Sequence, residues 1–450
     1  MALITINNHL SIGAEMMQLR LRLNRPNYEL LSTILREEAQ KAHQAVVAQV
    51  GREINVGSSQ QLGRLLFDEL RFPRKGNRKT GKVTTDENAL RELRVERPAH
   101  KELLNAIIAE KHIRKKIESY IEVEFDEDGY IPFSANPAGT ETNRWAFSKS
   151  PTGRGLNVQT LPKSMRIMCD APSGSAFICP DLPQADARIV AWDAKCESLI
   201  RLFDDPTRHY HLENCLRLFR LPREEVYAPA FKDDPRYVLG KAMGHAANYR
   251  MAPKRLAVEL GISVAEATRL LGVYLHQLYP EIERWQYAIK ERIQREGGLR
   301  TPKPFERWRV FYKAWAEMLL TGKLSNGSWN EGCAHIPQST VADIVNVGME
   351  ALWRDVKDVR FHLHHHDSFL ASVPGDRLGV VCEAALERLR VTLTIHDRPL
   401  LMEPEMQVGT NYGQMVVWKG ERTLGELEGR LKVKMAIDEG KLRKELYGYY

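Results

Sequence analysis

Two aspartates stand beside apolar segments that lie far apart in the sequence. Asp181 ends the run Ser175-Ala-Phe-Ile-Cys-Pro-Asp, and Asp367 divides the alternating segment Arg360-Phe-His-Leu-His-His-His-Asp-Ser-Phe-Leu-Ala-Ser-Val-Pro. The first run predicts a strand that ends in a carboxylate, and the second predicts a β-hairpin with a carboxylate at its tip. Two carboxylates at the same depth of one sheet can hold two divalent cations about 4 Å apart for in-line phosphoryl transfer.

Between the two aspartates, three residues share the spacing of one helix face. Lys241, His245 and Tyr249 are separated by four residues each, within residues 194–297, which are predicted to be almost wholly helical. Side chains at i, i+4 and i+8 point in the same direction. Taken singly, each residue is as well explained by an ordinary turn, surface or core position.

Composition and charge describe a globular protein with a small basic excess. The chain has 450 residues, of which 43% are hydrophobic and 27% charged, and its formal net charge is +7. This length allows two or three domains around a large core. Basic residues cluster at 71–82 and 111–116. An isolated run of this kind is more often a solvated face, but two together favour contact with a polyanion.

Cysteine usage and hydropathy argue against an export route or a membrane partner. None of the six cysteines forms a Cys-x-x-Cys pair, which favours reduced thiols in a cytosol over a structural zinc site. No apolar run approaches the roughly 20 residues of a membrane span. The amino terminus also lacks a basic segment followed by an apolar one.

Other elements must position the candidate residues. Residues 28–116 are predicted to form helices with a basic tip, with Ser58 or Ser59 and then Thr85 as helix N-caps. Residues 298–335 are predicted to be irregular. A helix is expected over 340–356 and a closing strand over 401–408. The pattern predicts a small sheet with helices behind it and a helical lobe facing it.

Several segments, in this order, resemble the family A DNA polymerases. Asp181-Leu-Pro-Gln-Ala-Asp-Ala-Arg188 resembles motif A, Lys241-Ala-Met-Gly-His-Ala-Ala-Asn-Tyr249 resembles motif B, and His366-Asp-Ser368 resembles motif C. Further similar segments are residues 58–67 and 79–90 (thumb), 139–148 and 156–162 (primer contacts), 338–343 (the helix before motif C) and 408–413 (the last palm segment). Each motif alone is weak, but their order and spacing make coincidence improbable.

The resemblance implies an α+β fold of the right-hand polymerase type. Its palm would carry a small antiparallel sheet, and its thumb and fingers would be helical. The implied domains are palm 1–27, thumb 28–116, palm 117–195, fingers 196–339, palm 340–420 and a C-terminal helical tail 421–450.

The resemblance also implies a DNA-directed DNA polymerase that extends a primer from deoxynucleoside triphosphates (dNTPs). Asp181 and Asp367, with the backbone carbonyl of Leu182, would hold two Mg²⁺ ions, for which Mn²⁺ can substitute. Mg²⁺ prefers hard oxygen ligands and keeps several waters, so few carboxylates suffice. Lys241 would bind the triphosphate and act as a general acid toward pyrophosphate.

Further roles are carried over residue by residue from the resemblance. The implied nucleotide-binding residues are Gln184, Asp186, His211, Arg236, Lys241, His245 and Tyr249. The implied primer–template contacts are Arg144, Asn157, Gln159, Gln338 and His366. Contacts of the second kind position a duplex without reading its sequence. For Asn157 and Gln159 the alternative is a capping or turn role.

The chain departs from the family pattern at several of these positions. Tyr237 stands where the family has a phosphate-binding Arg, and Arg236 is about 100° further round a helix. Asp186 is one methylene shorter than the usual Glu that blocks a ribose 2′-hydroxyl, which predicts looser discrimination against ribonucleotides. Ser368 replaces the motif C Glu, and Arg250 replaces a Gly, so the helix end should differ locally.

Two alternative functions stay open from the sequence. One is a single-subunit type of RNA polymerase, and the other is a non-catalytic relative that binds nucleic acid. About 25 residues precede the thumb-like helices, fewer than a proofreading exonuclease domain needs. The chain is therefore expected to lack proofreading or to obtain it from a separate protein, and a separate exonuclease and processivity proteins are candidate partners. The expected location is the cytoplasm, that of a host if a phage or plasmid encodes the chain.

Overall fold

The computed structural model describes residues 2–77 and 80–447, with side chains from Asn7 onward. Arg78 and Lys79 of the predicted basic loop lie outside the described residues, as do Met1 and residues 448–450 of the predicted tail. The described part is helix-rich with small antiparallel sheets, so its class is α+β.

Helices make up most of the described chain. Their bounds are α1 Ala2–Leu19, α2 Arg25–Val50, α3 Ser59–Gly63, α4 Glu87–Glu96, α5 Lys101–Lys116, α6 Ala185–Asp193, α7 Glu197–Asp204, α8 Tyr210–Phe219, α9 Arg223–Val226, α10 Pro235–Asn248, α11 Pro253–Leu260, α12 Val264–Gly272, α13 Pro280–Glu296, α14 Tyr312–Thr321, α15 Asn326–Asp355, α16 Leu378–Leu389, α17 Glu428–Met435 and α18 Glu439–Tyr447.

The strands are short, and most of them pair locally. Their bounds are β1 Leu21–Leu23, β2 Tyr130–Ile131, β3 Ser134–Asn136, β4 Ala146–Ser148, β5 Cys169–Asp170, β6 Ser175–Asp181, β7 Gly298–Arg300, β8 Trp308–Val310, β9 Arg360–His365, β10 Ser368–Pro374, β11 Val391–Ile395, β12 Arg398–Met402, β13 Glu405–Gly409 and β14 Val416–Val417.

The largest described sheet has the order β14-β13-β6-β10-β9, and its neighbours are antiparallel. Strand β6 lies at its centre, and β9 and β10 form the hairpin predicted around Asp367. Six of the seven residues of β10 are buried, because α15 and α16 pack against the strand. A strand that is buried on both faces has a nearly continuous apolar sequence, which is the pattern of the segment that follows Asp367. The predicted sheet with helices behind it is confirmed.

A separate small core stabilises the helices of residues 46–108. Buried residues of this core come from α2, α3, α4 and α5, and include Val46, Leu62, Leu90 and Ile107. The first half of α2 and the second half of α5 instead contribute Leu31, Ile113 and their neighbours to the main core. The division of the chain into palm, thumb and fingers stays a prediction, although this second core gives the thumb segment a packing unit of its own.

Several element predictions need correction. The helix expected over 340–356 begins at Asn326, so much of the stretch predicted to be irregular is helical, and Pro337 lies inside α15. Burial of α15 offsets the low helix propensity of its Pro and Gly residues. The closing strand over 401–408 is two strands, β12 and β13. Asp86, not Thr85, caps α4, because its side chain accepts a hydrogen bond from the Ala89 N–H.

One N-cap prediction is confirmed, and one negative finding concerns membranes. The Ser58 side chain accepts a hydrogen bond from the Gln61 N–H at the start of α3. Within residues 2–77 and 80–447, no helix is both long and apolar enough to cross a membrane.

Candidate active site

Strand register brings the two predicted catalytic aspartates to one edge of the central sheet. Asp181 is the last residue of β6 and pairs across the sheet with Ser368, which directly follows Asp367. The backbone N–H of Leu182 donates to the backbone carbonyl of Asp367 over 3.2 Å. The chain segments that carry the two carboxylates are therefore linked directly, although 186 positions separate 181 from 367 in the sequence.

The two aspartates are half-buried, and their negative charges repel each other. Burial, followed by the negative charges of Asp367 and Glu405, raises the pKa of Asp181 from 3.8 to about 7. Burial also raises the pKa of Asp367. Two ionised carboxylates at this place repel each other and are poorly solvated. A bound cation would offset both effects, so the pair is suited to a metal site.

The donor set at this edge fits a hard divalent cation. Asp181 and Asp367 offer carboxylate oxygens, and the Leu182 carbonyl accepts only a long 3.3 Å hydrogen bond from the Ala185 N–H, so a lone pair is left for a ligand. No group of three or more His, Cys, Asp and Glu side chains in the described residues could hold a metal by itself. Mg²⁺ suits such a sparse set, since water and substrate phosphates complete its coordination.

The hairpin tip next to Asp367 has an unusual backbone. His366 has a φ of 58°, in the left-handed region that residues with a side chain seldom adopt. Ser368, where the family has a Glu, donates its hydroxyl to the His365 carbonyl at 3.0 Å. Its side chain thus stabilises the turn, and the tip presents Asp367 and His366 to the adjoining cavity.

A cavity of about 510 Å³ lies between this sheet edge and α10. The predicted residues Gln184, Asp186, His211, Lys241, His245, Tyr249, Arg144, His366 and Asp367 all line it. Sequence reasoning missed the other lining residues, which are Ala185, Ala187, Tyr210, Val238, Ala242 and Asn248. The volume and the mixture of apolar walls with a few polar groups are typical of a small-molecule site.

Helix α10 supplies the wall opposite the carboxylates. Lys241 and His245 lie on it one turn apart, whereas Tyr249 is the first residue after its end. The helix therefore ends one residue before Tyr249, although Lys241, His245 and Tyr249 all line the same cavity. The ring of Tyr249 meets that of His245 edge to face, with 4.6 Å between centroids. Tight packing holds α10 in place, because a Cβ added at Gly244 would lie 2.1 Å from the Tyr210 hydroxyl.

A hydrogen bond joins α6 to the end of α10. The Tyr249 hydroxyl donates to Asp186 Oδ2 at 2.6 Å, and Arg144 Nη2 lies 3.7 Å from the same oxygen. Burial and this carboxylate raise the pKa of Tyr249 well above its usual value, so the hydroxyl keeps its proton. The shorter Asp186 is thus already engaged by Tyr249 and Arg144.

Two histidines stand near the Lys241 side of the cavity. Burial, together with the neighbouring His209, lowers the pKa of His211 to about 4, so the ring is neutral at pH 7. The Nδ1 atoms of His209 and His211 are both buried without a hydrogen-bond partner. His209 was not predicted, and its Nε2 lies 3.4 Å from the side-chain nitrogen of Gln184.

The remaining predicted residues lie away from the cavity. Arg236 is paired with Asp234 at 2.7 Å and with Glu225 at 2.6 Å, and it is not among the residues lining the cavity. Asn157 accepts a hydrogen bond from the Gln159 N–H, and the Gln159 amide donates to the carbonyls of Trp145 and His364. Gln338 lines a neighbouring cleft. In the free protein the side chains of Asn157 and Gln159 have structural partners.

Glu405 is a charged neighbour of the site that the sequence did not point out. It pairs directly with Asp181 across β6 and β13, on the side opposite Ser368. It adds to the negative potential that raises the pKa of Asp181. The position of Glu405 depends on strand register, which no local pattern specifies.

Comparison with known proteins agrees with this architecture. Residues 25–414 match the model of DNA polymerase family A. The chain is 27% identical over 397 residues to a thermostable DNA polymerase I of Thermus thermophilus, covering 86% of this chain and 45% of that protein. It is 26% identical over 378 residues to DNA polymerase I of Pseudomonas aeruginosa, covering 81% and 39%. The chain thus spans less than half the length of these relatives.

A solved structure shows the same fold. The POL domain of Pol1 from M. smegmatis, in complex with DNA primer–template and dNTP, superposes with a TM-score of 0.70 at 22% identity, covering 90% of this chain and 69% of that one. The fold is that of an α+β polymerase domain. Because the family model matches most of the chain, the protein belongs to DNA polymerase family A.

Proposed function

We propose that this protein is a DNA-directed DNA polymerase that adds deoxynucleotides to a primer paired with a template strand. The observation that carries the proposal is the cavity in which Asp367, beside the linked Asp181, faces Lys241 and His211 across about 510 Å³. Carboxylates on one wall and a cation on the other suit a triphosphate that bridges two metal ions and an ammonium group. Family membership and the fold of the M. smegmatis domain support the same reading.

Each wall would contribute a different step. Asp181, Asp367 and the Leu182 carbonyl would hold two Mg²⁺ ions, or Mn²⁺ in their place, and these would supply charge neutralisation at the attacking and leaving oxygens. Lys241 would bind the triphosphate and give a proton to the departing pyrophosphate. His211, neutral at pH 7, would donate its one ring N–H to an oxygen of the same phosphates.

The Asp186 wall would govern which sugar is accepted. Asp186 lies on the cavity wall with its carboxylate fixed by Tyr249. We propose that this carboxylate borders the sugar, and that its short side chain tolerates a 2′-hydroxyl better than the longer Glu of the family. His245 would pack against the sugar and base, and Gln184 would contact the phosphates.

The duplex would approach from the side of Arg144 and His366. Both residues line the cavity next to Asp367, so they are suited to the end of a primer–template. Gln338 stands in the adjoining cleft and would contact the template strand. Contacts from Asn157 and Gln159 would require these side chains to exchange their present partners.

A primer-extension assay tests the proposal. A labelled primer–template with Mg²⁺ and four deoxynucleotides should be extended to the end of the template, and omission of one deoxynucleotide should stop extension at its first complement. Four ribonucleotides alone should give at most short products. Efficient full-length synthesis from ribonucleotides, with none from deoxynucleotides, would instead support an RNA polymerase.

The control separates catalysis from binding. The Asp181→Asn variant should bind the same primer–template, measured by fluorescence anisotropy, but should not extend it. Extension at the normal rate by this variant would overturn the assignment of the site. The absence of proofreading stays a prediction. Excision of a mismatched 3′-terminal nucleotide by the purified chain, with Mg²⁺ and without nucleotides, would contradict it.

A further inference from the structure

A second and larger cleft adjoins the nucleotide cavity. Its volume is about 1090 Å³, and it shares His245 and Tyr249 with the smaller cavity, so the two adjoin at the end of α10. The cleft extends from α11 to α13 and the first turns of α15. Any polymer that enters it reaches the cavity beside Tyr249.

Arg250 stands at the junction, directly after Tyr249. Its guanidinium carbon lies 3.1 Å from the centroid of the Trp329 ring, and its Nη1 donates to Asn330 Oδ1 at 2.6 Å. The Trp329 indole N–H donates to the Gln286 carbonyl at 2.7 Å, which fixes the ring. The guanidinium therefore lies on an indole face, and one hydrogen bond holds the guanidinium while another holds the indole. Together these contacts leave Arg250 little freedom to move.

The surroundings keep this cation available to a ligand. Among the described residues no carboxylate pairs with Arg250, whereas the acidic groups of the same cleft have other partners. Glu331 pairs with Arg309, and Glu283 lies 3.3 Å from His276. Tyr287, whose ring lies 5.1 Å from that of Trp329, is 52% exposed.

The chemistry of this arrangement selects an anionic polymer with planar groups. A guanidinium held over an aromatic ring and an exposed tyrosine are surfaces on which an unpaired base stacks, and the positive charge attracts the backbone phosphate. An apolar peptide would leave Arg250 desolvated without a partner, which is unfavourable.

We propose that Arg250, supported by Trp329, is the platform on which the first unpaired template base, beyond the one being copied, stacks. The proposal rests on the proposed function, because the adjacency of the two clefts makes the template strand the segment that reaches this place. Arg250 is a positioning residue here, and its effect is on template binding ahead of the reaction. The left-handed φ of 56° at Arg250 directs the chain away from α10 at this point.

The test compares two duplexes that share one primer end. One carries a single-stranded 5′ template overhang and the other is blunt, and both are titrated by fluorescence anisotropy without nucleotides. The unchanged protein should bind the overhang duplex about 5- to 150-fold more tightly, the range expected for stacking of one base. A 2-aminopurine placed one position beyond the base to be copied, which is the second unpaired template position of this duplex, should be quenched on binding.

Variants distinguish stacking from charge alone. Arg250→Ala should abolish most of the overhang preference and the quenching, and Arg250→Lys should restore little, because an ammonium lacks the planar face. Arg250→Gly serves as a second variant, since glycine adopts the left-handed conformation without strain. The matched control is Arg255→Ala in the same cleft, where Arg255 is paired with Glu259, and it should keep both signals.

Each other result has a fixed meaning. If Arg250→Ala and Arg250→Gly keep the full preference and quenching, or if Arg250→Lys equals the unchanged protein, the platform is wrong. If the Arg250 variants change sedimentation but not overhang binding, the cleft serves a second copy of the chain, which also overturns the proposal. Failure of the unchanged protein to bind either duplex overturns the proposed function and the platform with it.

Discussion

The two walls of the nucleotide cavity are built in different ways. On one side, strand pairing and the Leu182–Asp367 backbone hydrogen bond hold Asp367, which lines the cavity, beside Asp181, which is not among the lining residues. On the other, Lys241 and His245 project from one helix and are exposed. Cross-strand hydrogen bonds fix the backbone that carries the two short aspartate side chains, whereas the longer Lys241 side chain depends more on its own rotamers for its position.

This difference separates two kinds of contribution to function. Groups fixed by a sheet suit metal ions, whose coordination tolerates little displacement. Lys241, with its long and flexible side chain, can follow a substrate as it enters, and a change of its rotamer would bring the ammonium group closer to the phosphates. Substitutions on the sheet wall should therefore remove the reaction, and those on the helix wall should weaken it.

The largest effect is expected from Asp367→Asn. Loss of one carboxylate removes a charged ligand of the proposed metal ions, so the rate of single-nucleotide addition should fall about 10³-fold or more. The measurement is rapid-quench extension of a labelled primer by one deoxynucleotide. The adjacent Ser368→Ala is the matched control, since the Ser368 hydroxyl donates to the His365 carbonyl and Ser368 is not among the residues lining the cavity, and it should stay within about threefold. Equal losses in both variants would show that the hairpin, not the carboxylate, matters.

A smaller loss is expected from Lys241→Ala on the helix wall. Removal of one cation from a charged triphosphate site should reduce kcat/KM for the deoxynucleotide about 10²-fold, equivalent to about 3 kcal/mol. Steady-state extension across a range of deoxynucleotide concentrations measures it. The control is the exposed Lys357→Ala between α15 and β9, which should change nothing. A loss as large as that of Asp367→Asn would erase the distinction between the two walls.

Sequence patterns predicted these walls unequally, for physical reasons. The strands that carry Asp181 and Asp367 were readable because buried strands are apolar runs, and the i, i+4 spacing placed Lys241 and His245 on α10. The start of α15 was missed because Pro337 lowers local helix propensity, although tertiary burial outweighs it. Local rules describe each element but not its neighbours.

Local sequence patterns did not predict the contacts between segments that are distant in the chain. The hydrogen bond from Tyr249 to Asp186 and the pairing of Glu405 with Asp181 depend on packing and register. The pairing of Arg236 with Glu225, eleven positions away, likewise follows from the way α9 meets α10. These are the contacts that decide which of the predicted residues reach the cavity.

The sheet wall should also have a measurable pH signature. Because folding raises the pKa of Asp181 from 3.8 to about 7, ionisation opposes folding: this penalty is absent below pH 3.8, grows as the pH rises and is complete above pH 7. In metal-free buffer, Asp181→Asn should therefore raise Tm by about 2–4 °C near pH 8 and not near pH 4. Differential scanning calorimetry measures the change.

Bound metal should remove the stability advantage of Asp181→Asn over the unchanged protein at pH 8. Mg²⁺ added at pH 8 should raise the Tm of the unchanged protein and leave that of Asp181→Asn almost unaltered, because a ligand stabilises only the state that binds it. Lys241→Ala, which leaves the carboxylates in place, should respond to Mg²⁺ like the unchanged protein. An equal response in all three proteins would argue against metal binding at Asp181.

The smallest effect is expected from Arg236→Ala. Its guanidinium is engaged by Asp234 and Glu225 outside the cavity, so it should contribute little to triphosphate binding. The KM for the deoxynucleotide should change less than about twofold, and stability by less than about 1 kcal/mol, since exposed ion pairs are weak. The same steady-state assay decides the matter. A tenfold rise in KM would mean that Arg236 leaves its carboxylate partners and swings to the phosphates when the nucleotide binds, and the helix wall would then be more mobile than its present contacts indicate.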